Sequence, residues 1–332
     1  PRSPAVQEPA TSRRDAKRIA RTATSPSDAG PPMTTSGNPR LGALFTIAAV
    51  CVFGMQDGVS KHLTEQYPVF FVITIRYWAF LLVLLLVHTG RSGGLRRVAT
   101  SKRPVRQLLR GALLAGQVCM IVQSFASLGL STTHAVFSSF TLLVALGSWL
   151  FLGERIGVAR MLAIAVGLIG VLVILQPGAQ VFDPLALLPL AGACTFATYQ
   201  LLTRAVNAVD PARTSFFYTG LGGALVMTGI GPFYWQQPDL TGWLLLAVVS
   251  ASSMLGHYLF IQALRHAEAS AIQPLVYLQL VVATTIGILV FNERLDAATI
   301  VGAVLIVAAG LFTLHRQRRR APNTTAAAYA KP

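Results

Sequence analysis

The strongest constraint on this chain is a succession of long apolar stretches nearly free of charge. Ten can be drawn, at 41–60, 69–88, 108–127, 133–152, 159–176, 183–203, 214–231, 241–263, 270–291 and 297–314. A helix of about 20 residues is what a hydrocarbon core of roughly 30 Å requires, so each stretch reads as a transmembrane helix. Charged residues make up only 12% of the 332, where a soluble domain carries about 25%. Mean hydropathy is +0.58, as expected of a polytopic membrane protein. Most connections are short, which makes consecutive helices antiparallel neighbours. The exception is 89–107, a loop with six basic residues.

The formal net charge of +15 invites a nucleic-acid reading, but the position of the charges argues against one. Basic residues flank the apolar spans instead of lining a polar domain. With the N-terminus in the cytoplasm, 24 of the 27 Lys and Arg fall on the inner side. Lys61 and Arg294 fall outside, and Arg76 lies within the second span. The positive-inside rule then places both termini in the cytoplasm of a bacterial inner membrane. Residues 1–40 are poor in large apolar side chains and are expected to be a disordered basic cytoplasmic tail. Arg13-Arg14 is not followed by an apolar stretch until Leu41, which argues against an export signal. Met33 stands just before the first span and is the expected start of translation. The second basic tail, 316–332, carries Arg316 to Arg320 and suits anionic headgroups. Cys51, Cys119 and Cys194 sit in apolar spans without metal-ligand spacing and read as small hydrophobes. No metal and no cofactor is called for.

A weak internal repeat adds to this. The segment from Thr132, TTHAVFSSFTLLVALGSWLFLGERIGVARMLAIAVGLIGVLVIL, resembles that from Ala271, AIQPLVYLQLVVATTIGILVFNERLDAATIVGAVLIVAAGLFTL. Glu154-Arg155 and Glu293-Arg294 hold the same place in each, closing one apolar span ahead of another. The halves are drawn as 41–177 and 178–315, five spans apiece. An odd number of spans per repeat forces opposite insertion, which puts Glu154 inside and Glu293 outside. Inverted repeats of this kind build secondary transporters, with the substrate near the midplane between them.

The chain resembles the EamA-type ten-helix carriers of the drug/metabolite transporter superfamily. The resemblance rests on GMQDGVSKHL and ITIRYWAFLL in the first two spans and LFLGER closing the fourth. It continues through ALRHAEASAIQPLVYLQLVVATTIGILVFNERLDAATIVGAVLIVAAG, so that it covers roughly 41–315. It implies an all-α basket of ten helices, in two inverted five-helix repeats around a central cavity, that transports small metabolites without ATP. No Gly-rich phosphate loop is present, which agrees. The halves differ where His134-Ala135 in the first stands opposite Gln273-Pro274 in the second, so they are not functionally equivalent.

Several polar residues within spans are candidates for substrate binding or coupling. Asp57 is the acid deepest in a span, and acids at membrane depth are costly and mark function. On its helix Gly54, Asp57, Gly58 and Lys61 form one stripe, with Gly54 and Gly58 spaced for close helix approach. The competing structural reading pairs Asp57 with Arg76 across adjacent helices, and the two readings are compatible. In the ninth span Pro274 frees a backbone carbonyl, and Gln273 and Tyr277 share a face suited to a polar cavity. His257, Tyr258 and Gln262 on the eighth span, and Tyr199 and Gln200 on the sixth, are further candidates. His257 suits a proton relay or a packed, hydrogen-bonded site equally. Gln123 and His134 are weaker members of the set. The pairs Glu154-Arg155 and Glu293-Arg294 are expected to hold helix ends or loops. The four Trp read mostly as interface anchors.

These residues favour a secondary carrier for amino acids, related compounds or drugs, working by alternating access, with proton-linked export ahead of uptake or exchange. Its partners are a small-molecule substrate and membrane lipids, with no nucleic acid. A membrane-embedded enzyme would need a clustered set of carboxylates or histidines, and the twelve acids lie mostly in loops and tails. A non-transporting accessory protein is the remaining alternative, but it would leave the repeat without a use.

Overall fold

Apolar length turns nearly every expected span into a helix. The computed structural model describes residues 38–89, 94–152, 157–176, 184–207, 209–266 and 274–320, all helices and connections without strands. In chain order these are α1 (Pro39–Thr64), α2 (Val69–Thr89), the short α3 (Gly94–Ala99), α4 (Pro104–Phe137), α5 (Phe140–Leu152) and α6 (Val158–Leu175). The second half adds α7 (Leu188–Asn207), α8 (Ala212–Ile230), α9 (Leu240–His266), α10 (Leu278–Phe291) and α11 (Ala297–Arg320). Nine helices among the described residues are long and apolar enough to cross a membrane, and Phe140–Phe151 is a shorter apolar helix. The chain is therefore a multi-pass membrane protein. Asn38 starts α1 by accepting the Arg40 N–H at 3.0 Å, with Pro39 in the first turn. The helix α11 continues past its apolar stretch through Arg320, into what composition alone marks as a tail.

The third and fourth spans differ from the sequence expectation in how they join. They run together as α4, bent at Gly129 with φ 78° and ψ 171°, backbone that a side chain rarely allows. The fourth crossing therefore starts directly after Gly129. It is interrupted again at Ser138–Ser139 before α5 completes it. On its far side the second half shows the same device: helix over 274–276, a turn at Tyr277, then α10. At the repeat spacing of 139 residues, Ser138 corresponds to Tyr277. The same crossing is broken at the same place in both halves.

Helix packing exchanges the halves. Matching spans in order pairs α1 with α7, α2 with α8, the first part of α4 with α9, α5 with α10, and α6 with α11. In the structure α1 packs on α9 and, reciprocally, α7 packs on α4. Likewise α2 meets α9 as α8 meets α4, and α1 meets α10 as α7 meets α5. The self-related pairs, α2 with α8 and α6 with α11, lie on the axis of this exchange. With five crossings per half, that axis lies in the membrane plane. Gly54 and Gly58 make the α1–α10 approach possible: a Cβ on Gly58 would stand 3.0 Å from Ile286 Cγ2.

Gly129→Ala is expected to cost about 1–3 kcal/mol of stability, because φ at that position suits only glycine. The added Cβ would also stand 2.6 Å from Glu293 Oε1. A thermal melt in detergent checks this against Gly116→Ala, where nothing lies within 4 Å of the new atom and the melt is expected to hold.

Candidate functional site

The two broken crossings face each other, and the polar cluster lies between them and α1. Asp57, 8% exposed, receives a hydrogen bond from Gln279 Nε2 of α10 at 3.1 Å. His134 Nε2, on the piece of helix between Gly129 and the Ser138 break, lies 3.1 Å from the same Asp57 Oδ2. That distance is an ion pair when His134 is protonated. The angle does not suit a hydrogen bond, and Nε2 has no hydrogen-bond partner among the described residues. Beyond it lies a small open recess lined by His134, Phe137, Ser138, Phe140, Thr141, Tyr277 and Gln279. Tyr277 and Thr141 share a 2.5 Å hydrogen bond across it. Ring contacts run from Phe125 through His134, Phe137 and Phe196 to Tyr199, giving one wall an aromatic surface.

The expected Asp57–Arg76 ion pair does not form. Asp57 turns toward the fourth and ninth crossings, while Arg76 on α2 turns toward α9 and reaches Ser253 Oγ at 3.5 Å. The two charges remain within electrostatic reach. The sequence placed both side chains at similar depth, but depth says nothing about direction around a helix. His257 lies in the same quarter, edge-on to Phe53 at 5.2 Å and parallel to Phe80 at 6.5 Å, in an aromatic slot near Arg76.

Glu293 ties one end of the bundle. Asn292 closes α10 in the left-handed conformation, φ 54°, and the Glu293 N–H turns back on the Gly287 carbonyl at 2.9 Å. This aims the carboxylate into the Gly129 bend. It accepts the Leu130 N–H at 2.7 Å, the Ser131 N–H at 3.1 Å and the Ser131 hydroxyl at 2.8 Å. Lys61 Nζ completes the knot at 2.5 Å while lying 4.3 Å from the Phe291 ring. The carboxylate thus caps the helix that starts after Gly129. Burial pushes its carboxyl upward, but the hydrogen bonds from Lys61, Ser131 and Leu130 outweigh that and hold it below the usual range.

At the opposite end sits one of the 24 basic residues assigned to the inner side. Arg110, six residues into α4, is only 2% exposed. Its guanidinium donates to Gln107 at 3.3 Å, Tyr199 at 3.1 Å, Thr203 at 3.4 Å, Thr219 at 2.7 Å and the Ser215 carbonyl, joining α4, α7 and α8. Asp210 adjoins it, accepting from Ser101 at 2.5 Å, the Lys102 N–H at 2.9 Å and Gln107 at 3.0 Å. Burial raises the Asp210 carboxyl, yet these donors bring it below the ordinary value. The one available signal was the string of hydroxyls at Thr203, Ser215 and Thr219, enough to solvate an arginine drawn into the bundle.

The remaining candidates are spread out. Tyr199 belongs to the Arg110 cluster, its ring centroid 5.2 Å from the guanidinium carbon. Gln200 and Gln262 are half-buried, Gln123 and Tyr258 are exposed, and Arg294 is exposed beside Glu293. Pro274 lies in the helical piece before the Tyr277 turn, and its carbonyl accepts the Tyr277 N–H at 3.4 Å. Glu154, Arg155 and Gln273 lie outside the described residues.

Two halves exchanged by a two-fold, with broken helices and buried charge at their seam, are an arrangement that transporters use. The sequence comparisons agree. The model of the EamA-like transporter family matches residues 40–176 and again 184–314, and the chain belongs to that family. An S-adenosylmethionine uptake transporter of Rickettsia bellii is 27% identical over 265 residues, covering 79% of this chain and 89% of its own. A riboflavin transporter of Vibrio cholerae is 27% identical over 291 residues, covering 84% and 95%. A pseudopaline exporter of Pseudomonas aeruginosa is 27% identical over 276 residues, covering 81% and 94%. A crystal structure of a protein sharing 19% identity has the same fold, with a TM-score of 0.59 over 84% of this chain and 99% of the other. The chain is a small-molecule transporter, not an enzyme.

Because the Glu293 carboxyl is held below its ordinary value of 4.5, its contribution to stability is complete above that pH and fades as pH falls through the lowered value. Melts of Glu293→Gln and wild type are expected to differ most above pH 5 and to converge in more acid buffer. A gap that stays constant from pH 7 down to pH 3 would show that the carboxylate charge contributes nothing.

Proposed function

We propose that this chain is a secondary carrier that moves a small metabolite across the bacterial cytoplasmic membrane by alternating access. The substrate occupies the seam between the broken fourth and ninth crossings, and both termini face the cytoplasm. The observation that carries the reading is Asp57 held between His134 of one half and Gln279 of the other, beside the lined space. A charge so placed is costly, and such residues mark sites of binding or coupling. It touches both halves, so any motion of one against the other changes its surroundings.

Proton-linked export is the leading form. Protonation of His134 makes the 3.1 Å contact an ion pair, and loss of that proton removes the pairing, so that a substrate group can then compete for Asp57. The orientation rests on the 24 basic residues that the positive-inside rule assigns to one side. Uptake or exchange is the second reading, and the Rickettsia bellii relative, an uptake transporter by name, favours it.

Counterflow by purified protein in liposomes tests the carrier, using labelled S-adenosylmethionine, amino acids and riboflavin. Saturable, competable exchange of at least one is expected. Asp57→Asn is expected to abolish stimulation by an imposed pH gradient while counterflow persists. Loss of both together with a lowered melting temperature would assign Asp57 a structural role only.

A further inference from the structure

Two opposite charges at membrane depth remain incompletely used. Arg76 is one. Arginine stays protonated in proteins, and among the described residues no carboxylate lies within 4 Å of this guanidinium, whose hydrogen bond is the long contact to Ser253. The residue is partly exposed within the bundle, although α9 faces it and Tyr77 and Cys119 lie near its charge. Asp57 is the other. Both of its contacts use Oδ2, and Oδ1 makes no hydrogen bond among the described residues. The two groups stand on adjacent helices within electrostatic reach of each other, yet too far apart to pair directly.

The geometry points to a clamp for a zwitterion, an amino-acid-type head group whose carboxylate is held by Arg76 and whose ammonium is held by Asp57 Oδ1. The choice of class comes from charge. An anion drawn to Arg76 is repelled by Asp57, and a cation drawn to Asp57 is repelled by Arg76. Either would leave one membrane-depth charge uncompensated, whereas a zwitterion completes both. Arg76 offers the planar fork of donors that fits a carboxylate. The rings of Phe53 and Phe80, with His257 between them, give an apolar surface beside it for the rest of the molecule. The clamp rests on the carrier reading for the transport step, but not for binding itself. It also supplies a route for coupling, since substrate ammonium and a proton compete for the same aspartate.

Equilibrium binding to the purified full chain in nanodiscs tests this, with a panel of labelled zwitterions, S-adenosylmethionine and the amino acids, and riboflavin as the uncharged control. For a zwitterion that binds, the analogue lacking the carboxylate and the analogue lacking the ammonium are each expected to bind about 10- to 100-fold more weakly to wild type. Arg76→Gln is expected to weaken the parent zwitterion by that factor while leaving the carboxylate-free amine unweakened, which also shows the variant is folded. Arg76→Lys should restore part of the loss. Equal binding of parent and analogues to wild type overturns the clamp. So does binding of riboflavin with no zwitterion in the panel bound, an outcome that leaves the carrier reading intact. Discriminating zwitterion binding without counterflow would uphold the clamp and remove the carrier.

Discussion

In lipid a helix can be interrupted only where protein or ordered water, and not hydrocarbon, meets the freed backbone groups, and this bundle depends on how that is done. The fourth crossing begins at a glycine bend with two N–H groups exposed. The Glu293 carboxylate receives both, brought there by a left-handed asparagine at the end of α10. One side chain from the second half therefore sets the start of a crossing in the first half. Lys61 neutralises that carboxylate and fixes α1 to the same point. Without the knot, the segment carrying His134 would have no defined register against Asp57, and the seam would lose its polar pair.

The sequence is highly informative about this molecule's helices and much less so about its contacts. Ten spans, the repeat and the family can be read from apolar length, basic flanks and the paired Glu-Arg motifs, since these are properties of segments. Gly129 escaped, because a glycine in an apolar run signals close packing as readily as a bend. Asp57 stands out by depth alone, but its partners depend on rotation about α1, which a pattern of residues fixes only to within a neighbouring face. Hence Arg76, at matching depth, was a reasonable partner, whereas His134 and Gln279 hold the position. Arg110 shows the converse: a charge near a span end looks interfacial until its hydroxyl neighbours on two other helices are brought in.

The two ends of the bundle use different chemistry for the same purpose. Near Gly129 a formal ion pair joins the halves. Near Arg110 a guanidinium is solvated by hydroxyls, an amide and a carbonyl, and it reaches Asp210 through Gln107 without a direct ion pair among the described residues. Both devices bridge first-half and second-half helices, and between them lies the seam with its broken crossings. Under the proposed alternating access, one end would loosen while the other holds.

The exchange of helix contacts between halves has an energetic corollary. If the second conformation of the carrier is the first with the halves' roles reversed, each helix pairing lost at one place is regained at its counterpart. Most packing energy then cancels between the two states. What remains is the difference between residues that the repeat does not duplicate, such as Ser138 against Tyr277 at the two breaks, or an ion pair at one end against a solvated guanidinium at the other. A handful of side chains, out of a bundle of some 300 residues, thus decides which face of the membrane the empty carrier prefers.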